Sequence, residues 1–447
     1  MLQKSLLPKP NLDPGDRLSY SRRVAGLLRH AGAEEGDNVK IVMGSIERSG
    51  VLMPHHEFSD PDVLVLKQKS GYNIGVRLGE GATLSVTSKG AKKERPSRSP
   101  SLAEGKRRVA VLGTGGTIAS YVDYRTGAVH PALSAADLVS AVPEMAEVCQ
   151  VDAKVIFSIF SENMRVEYWQ RLAEEVADRL NAGDEGVIVP HGTDTMGYTS
   201  AALSFMLDDI PRPVLLVGAQ RSSDRPSSDA YTNLISAARF CVDSDAAEVF
   251  VLMHDSMSDT SFAVHRGTRV RKMHTSRRDA FHSMNEGPVA RMDLDGKIEM
   301  LSPHRRKSGS KVRLSRDMEE RVCLMQFYPG MSPSAFDAFL SHHRGAVIAG
   351  TGLGHISKEL LEIVEKHAKQ GMPLVMTSQC LSGRVNLNVY DTGRDLLNAG
   401  VIPGEDMLPE TALVKLMWVL GKAKGPEEIR ALMATNLKGE MSPRREA

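Results

Sequence analysis

The chain has 447 residues, of which 41% are hydrophobic and 25% charged, with a net charge of +1 at pH 7 and four cysteines. That length exceeds one compact core, and that balance belongs to a globular protein, with no global field to draw it to nucleic acid or a membrane surface. No apolar run approaches the roughly 20 residues of a bilayer span, and Cys149, Cys241, Cys323 and Cys380 lie far apart without a CxxC pair, which argues against a disulfide framework or a structural zinc.

The opening residues lack the apolar centre of a signal peptide, so a cytoplasmic location is expected. Arg22 to Arg29 reads as one amphipathic helix. Short β-branched runs follow at close spacing (NVKIVMG, GVLMP, DVLVLKQ, YNIGVRL, ATLSVTS), separated by Gly, Pro, Asp and Asn. This pattern predicts a small all-β, barrel-like domain over residues 1–87, suited to docking more than to chemistry. Residues 88–107 are rich in Lys, Arg, Ser and Pro and poor in large apolar side chains, so they read as a basic linker. A basic recognition arm is the functional alternative for that stretch.

Beyond the linker, continuous apolar runs alternate with amphipathic segments. The runs are RVAVLGTGG, GVIVPHGTD, PVLLVGAQR and EVFVLMHDS, then VCLMQFYPG, AVIAGTGLG and PLVMTSQC. VEYWQRLAEEVADRLNAG and SKELLEIVEKHAKQG are the clearest helices among the segments between them. A mainly parallel, doubly wound sheet follows from this alternation. The polar stretch SPHRRKSGSKVRLSRDMEE marks a junction between an α/β domain over 108–315 and a smaller one over 316–447. Ligands of such sheets bind beyond the carboxyl ends of strands.

Two glycine-rich turns sit at such ends. In GTGGTI a dinucleotide fingerprint would need glycine at Ile118, and in GTGLGH at His355; neither turn has the lysine of a P-loop. The 14 histidines show no HExxH spacing, and the pairs His55–His56 and His342–His343 read as exposed loop residues. The turn TGGTIA, Thr114 to Ala119, instead offers a hydroxyl beside unobstructed backbone N–H groups, where an amide carbonyl can be held and attacked. A second strand end, HGTDTM from His191 to Met196, sets Thr193 beside Asp194, and Lys272 follows in VRKMHTSRRDAF. A threonine hydroxyl needs a base to take its proton. A lysine ordinarily keeps its proton to about pH 10.4, so a network with Thr193 and Asp194 answers better than an isolated lysine.

At these residues the chain resembles the bacterial-type L-asparaginase and glutaminase family. TGGTIA and HGTDTM are that family's two motifs, in order, with weaker likeness at SAVPEM, GAQR and AGTGLG. The resemblance implies Thr117 as nucleophile and Tyr124 as its activating partner, with Thr193, Asp194 and Lys272 as a second catalytic group assisting proton transfer and the attack of water. It implies substrate contacts at Gly116, Ser161, Glu162 and Gly192. Glu162 stands where the family typically has glutamine. No metal is implied, and the implied fold is an asparaginase-like doubly wound α/β domain followed by a smaller α/β domain.

The N-terminal wording GVLMP…DVLVLK…GYNIG, the linker and the segments VRKMHTSRRDAFHSMN and GRVNLNVYDTGRDLLNAG together resemble, more narrowly, the D-subunit family of archaeal glutamyl-tRNA(Gln) amidotransferases. That resemblance implies a glutaminase that frees ammonia from L-glutamine for an E subunit. The E subunit would use ATP and Mg2+ to convert Glu-tRNA(Gln) to Gln-tRNA(Gln) and would hold most of the tRNA. It also implies a homodimer within a heterotetramer, no cofactor on this chain and no membrane. The basic runs Lys89–Arg108 and Arg305–Arg316 are candidate contacts to tRNA or the E subunit, or simply solvated loops. A stand-alone cytosolic asparaginase or glutaminase, and a non-catalytic glutamine sensor, remain as alternatives from the residues alone.

Overall fold

The structure is a computed structural model that describes residues 20–53, 55, 60–68, 73–90, 106–115, 121–122, 129–130, 144–221 and 228–443. They fall into two compact units. The first takes the described residues of Met1–Ser99, Tyr121–His130 and Asp224–Ser228, and the second takes the rest.

In the first unit, helix Arg22–Ala31 starts where the Ser21 hydroxyl accepts the Val24 N–H, and ends at Gly32 in the left-handed region. Its Val24, Ala25 and Leu28 share one face and are buried. Strands β1 (Asn38–Met43), β2 (Ile46–Leu52), β3 (Val63–Lys67), β4 (Asn73–Arg77) and β5 (Thr83–Ser88) form one antiparallel sheet in the order β4-β3-β2-β1-β5. Val39, Ile41, Leu52, Leu64, Leu66 and Val76 meet the helix residues in one core. The chain stays attached beyond residue 87, past the boundary expected for the linker. Lys89 Nζ lies 3.0 Å from the buried Asp37 carboxylate, and Gly90 N donates to the same carboxylate at 2.8 Å. His55 is also not exposed as the sequence suggests: it is buried, with its ring tilted against that of Tyr20 at 4.0 Å. His343, half-buried, is bonded to the Phe339 carbonyl, whereas His342 is exposed.

The second unit begins with β6 (Arg108–Gly115). Two short strands, β7 (Tyr121–Val122) and β8 (Val129–His130), pair with each other in the first unit. Then follow β9 (Gln150–Ile159), β10 (Gly186–Pro190), β11 (Leu207–Asp208), β12 (Val214–Val217), β13 (Val249–His254), β14 (Ser261–Arg266), β15 (Val270–Lys272), β16 (Phe281–Ser283), β17 (Ala290–Asp293), β18 (Ile298–Met300) and β19 (Arg313–Leu314). The main sheet runs β18-β17-β14-β13-β12-β10-β6-β9. Its β9, β6, β10, β12 and β13 are parallel, whereas β14, β17 and β18 add antiparallel strands at one side. The sheet is therefore mixed, with the expected parallel part at its centre. Beyond it, β20 (Val322–Gln326), β21 (Gly345–Gly350), β22 (Leu374–Ser378) and β23 (Ile402–Pro403) form the smaller, wholly parallel sheet.

Helix Met196–Met206 joins the two sheets. It is apolar all round and buried along its length, as a helix covered on every side must be. One of its faces meets β13, and another meets helix Pro409–Lys422, where Phe205 and Trp418 lie 5.8 Å apart. Residues of both halves thus share one core. The C-terminal segment is pinned to this junction by Lys415 and Glu440, paired at 2.6 Å with no exposed surface on either side chain. Lys415 also donates to the Met433 and Thr435 carbonyls, and Glu440 accepts the Leu437 and Lys438 N–H groups.

Removing one member leaves the other buried without its counter-charge. Lys415→Met is expected to cost about 3–5 kcal/mol, read as a lower denaturation midpoint in the fluorescence of Trp169 and Trp418. An unchanged midpoint would count against this pair as the anchor.

Candidate active site

Strand β10 is apolar throughout and central, between β6 and β12, so its end delivers the next residues to the carboxyl edge of the parallel strands. The Thr114 hydroxyl of β6 donates to the Pro190 carbonyl at 2.8 Å, and His191 N bonds to Val217 O, which fixes that end from both neighbours. His191 is fully buried, with its Nδ1 2.7 Å from the Gly192 carbonyl. Burial pushes its imidazole down to about 4, against that carbonyl, which favours the proton. The ring is therefore neutral at physiological pH, with Nδ1 donating.

Thr193 is buried, whereas the Asp194 side chain is 70% exposed. Lys272 ends β15, pairs with Phe281 across its hairpin, and sends its ammonium to both residues. Nζ lies 2.8 Å from Thr193 Oγ1 and 2.8 Å from Asp194 Oδ1. The neighbouring cation, Arg271, is directed elsewhere, 3.4 Å from Glu410 on helix Pro409–Lys422. Ser161 follows β9 in a short turn, Ser161–Asn163, and is buried; its carbonyl accepts the Thr195 hydroxyl at 2.7 Å. Glu162 on the same turn is exposed.

Glycine permits these approaches. A Cβ on Gly192 would lie 2.7 Å from Ser161 Cβ, and one on Gly218, just past β12, would lie 2.6 Å from Thr193 Cγ2 and 2.7 Å from Met196 Cε. The structure thus brings Ser161, Gly192, Thr193, Asp194 and Lys272 together. Gly116, Thr117 and Tyr124 lie outside the described residues. Sequence reasoning passed over three contributors. His191 and Thr195 sit inside HGTDTM, and Gly218 opens GAQR, so each lay in a stretch already singled out. Among the described residues, no group of three His, Cys, Asp or Glu side chains is placed to hold a metal ion, and no helix is long and apolar enough to cross a membrane.

A hydroxyl and a carboxylate that share one ammonium can pass a proton through it and steady a water or an amide at the strand edge. On a mixed sheet joined to a smaller parallel one, this arrangement defines an asparaginase-type module. Residues 108–306 match the family described as "Asparaginase, N-terminal", and residues 321–433 match the "Glutaminase/Asparaginase C-terminal domain". The thermostable L-asparaginase from Thermococcus kodakarensis is similar over 75% of this chain and 100% of its own, at 34% identity and a TM-score of 0.67. L-asparaginase I from Vibrio cholerae is similar over 75% and 99%, at 28% identity and a TM-score of 0.67.

Residues 33–86 match the "GatD N-terminal domain", which the two asparaginase matches do not include. The D subunit of the Pyrococcus furiosus glutamyl-tRNA(Gln) amidotransferase is 51% identical over 429 residues, covering 94% of this chain and 98% of that one. Its counterpart in Methanopyrus kandleri is 48% identical, covering 94% of each chain. The chain belongs to the D-subunit family of glutamyl-tRNA(Gln) amidotransferases.

Crowding at Gly218 tests the packing of the site without touching its polar atoms. Gly218→Ala is expected to push Thr193 from Lys272 at an overpacking cost of about 1–3 kcal/mol and to lower amide hydrolysis by roughly tenfold or more. Wild-type rates in a folded Gly218→Ala protein would show that Thr193 does not need this placement.

Proposed function

We propose that this chain is the glutaminase subunit of a glutamyl-tRNA(Gln) amidotransferase. It hydrolyses L-glutamine to glutamate and releases ammonia to an E subunit, which uses ATP and Mg2+ to convert Glu-tRNA(Gln) to Gln-tRNA(Gln). The reading rests most on one observation, the Lys272 ammonium set between Thr193 and Asp194 at the strand edge of an asparaginase-type module. The N-terminal unit turns that chemistry toward an assembly, because it accompanies the module in the relatives named for tRNA amidation.

In this reading Thr117 is the nucleophile and Tyr124 helps remove its proton. Attack of the Thr117 hydroxyl on the side-chain amide carbonyl forms an ester, and the amide nitrogen leaves as ammonia. Water then adds to the ester, frees glutamate and returns the hydroxyl. Thr193, Asp194 and Lys272 move the protons for these two steps, while Gly116, Ser161, Glu162 and Gly192 hold the amino acid. The chain acts in the cytoplasm as a homodimer inside a heterotetramer, with the tRNA held mainly by the partner. The asparaginase-like part lies over 108–315 and 316–447, preceded by the N-terminal unit and the basic linker.

The six cations between residues 305 and 316 support the solvated-loop reading of that run over a nucleic-acid contact. Arg305 donates to the Leu437 carbonyl, Lys311 donates to that of Asn181, and Arg306, Lys307, Arg313 and Arg316 pair with Asp245, Glu185, Asp209 and Glu174.

The test is to purify the chain with its partner and trap it with a glutamine-like electrophile, followed by peptide mapping. An adduct on Thr117 is expected, absent in Thr117→Ala, together with a loss of glutamine hydrolysis on the order of a thousandfold or more. Labelling that persists in Thr117→Ala would refute the nucleophile. Full activity alone on free asparagine, indifferent to Glu-tRNA(Gln), would refute the amidotransferase role and leave a stand-alone asparaginase.

A further inference from the structure

Lys272 stands on a hairpin whose Val270, Ala280 and Phe281 enter the main core and whose Ser283 bonds to His265 of β14, while its far loop, residues 274–277, is exposed. Strands β15 and β16 pair only with each other among the described residues, and an isolated two-stranded ribbon is marginal in water. At its base the hairpin is held by Arg269, buried and bonded to Asp406, the Gly439 carbonyl and Ser442. At its tip, residues 274–277 are exposed and Arg278 turns inward. Its guanidinium Nη1 reaches Asp259 Oδ1 at 2.8 Å.

Behind Asp259 runs a buried polar chain that returns to the site. Asp259 Oδ1 lies 2.8 Å from Nε2 of the fully buried His254, whose Nδ1 lies 2.8 Å from Asn233 Oδ1. Asn233 Nδ2 donates to the Gly218 carbonyl at 3.0 Å and to Asp229 at 3.4 Å. Its oxygen is therefore left to accept, and His254 Nδ1 to donate. Burial alone raises the Asp259 carboxyl, but the His254 bond and the Arg278 charge outweigh it and keep it below the usual carboxylate range. Gly218, at the far end, is the residue packed against Thr193. The relay thus starts beside Thr193 and ends on the loop of the hairpin that presents Lys272.

We infer that Arg278, backed by Asp259 and His254, is a positioning residue that holds the Lys272 hairpin at Thr193 and Asp194. The inference rests on the catalytic reading of Lys272 given above. A lysine stem is long and flexible, so its ammonium meets both oxygens reliably only if the strand beneath it is fixed. Arg269 fixes one end of that hairpin and Arg278 the other.

The experiment uses the chain in complex with its partner and reads Lys272 directly, by competitive acylation followed by mass spectrometry, alongside glutamine hydrolysis. Arg278→Ala is expected to raise Lys272 labelling several-fold and lower kcat about tenfold, with KM changed less than about twofold. Arg278→Lys is expected to recover most of the rate. Asp259→Asn should reproduce the loss, and the double variant should add nothing to either single one. In a Lys272→Ala background, Arg278→Ala should have no further effect. Unchanged labelling, or an equal loss in that background, overturns the positioning role while leaving the catalytic group standing. If Lys272→Ala alone keeps the wild-type rate, the catalytic reading of Lys272 falls, and the positioning role with it.

Discussion

The contact between the Lys272 ammonium, the Thr193 hydroxyl and the Asp194 carboxylate sets the terms for the rest of this fold. Asp194 is largely exposed, so the ion pair is screened and adds little stability. Its importance is geometric. The ammonium arrives from β15, which ends at Lys272 and pairs with β16 outside the main sheet.

Two approaches of backbone make that arrival possible. Thr193 fits against Gly218, and Ser161 against Gly192, at distances that a methyl group would close. Helix Met196–Met206 starts directly after the site residues and is buried from end to end. Trp169 of helix Val166–Asn181 donates to its Thr199 hydroxyl at 2.9 Å, and the Ser200 hydroxyl donates to the Gly267 carbonyl just before β15. The same helix therefore fixes the strand end that carries Thr193 and the segment that leads to Lys272. Its other face belongs to the core shared with helix Pro409–Lys422, so the smaller half of the module braces the site.

Which parts were legible in the sequence follows from burial. β6, β10, β12, β13, β21 and β22 are covered on both faces and read as continuous apolar runs. Strand β9 was missed because it is an edge strand whose Asp152, Lys154 and Ser158 break the run. Helix Met196–Met206 was missed for the opposite reason: with no polar face it shows no helical period. Of the antiparallel strands, β18 is short, and β14 ends in His265 and Arg266, each buried against polar partners, so its apolar run is cut. His55 was expected to be exposed in its loop, whereas Tyr20 and the Asp60 carbonyl give its ring a buried place.

The site itself was half legible. Thr193 and Asp194 came with their motif, and a strand end locates them. Lys272 was singled out as a lysine of a later segment, but nothing local joins it to residues so far back in the chain, and its place in the second catalytic group came from the resemblance. What makes it the right cation, and not Arg271, is the alternation of side chains along β15, which sends Arg271 to Glu410 and Lys272 to the strand edge. A one-residue slip in the hairpin register would exchange the two, setting a guanidinium that cannot give up its proton against Thr193. The hairpin's register thus decides which of the two cations meets Thr193.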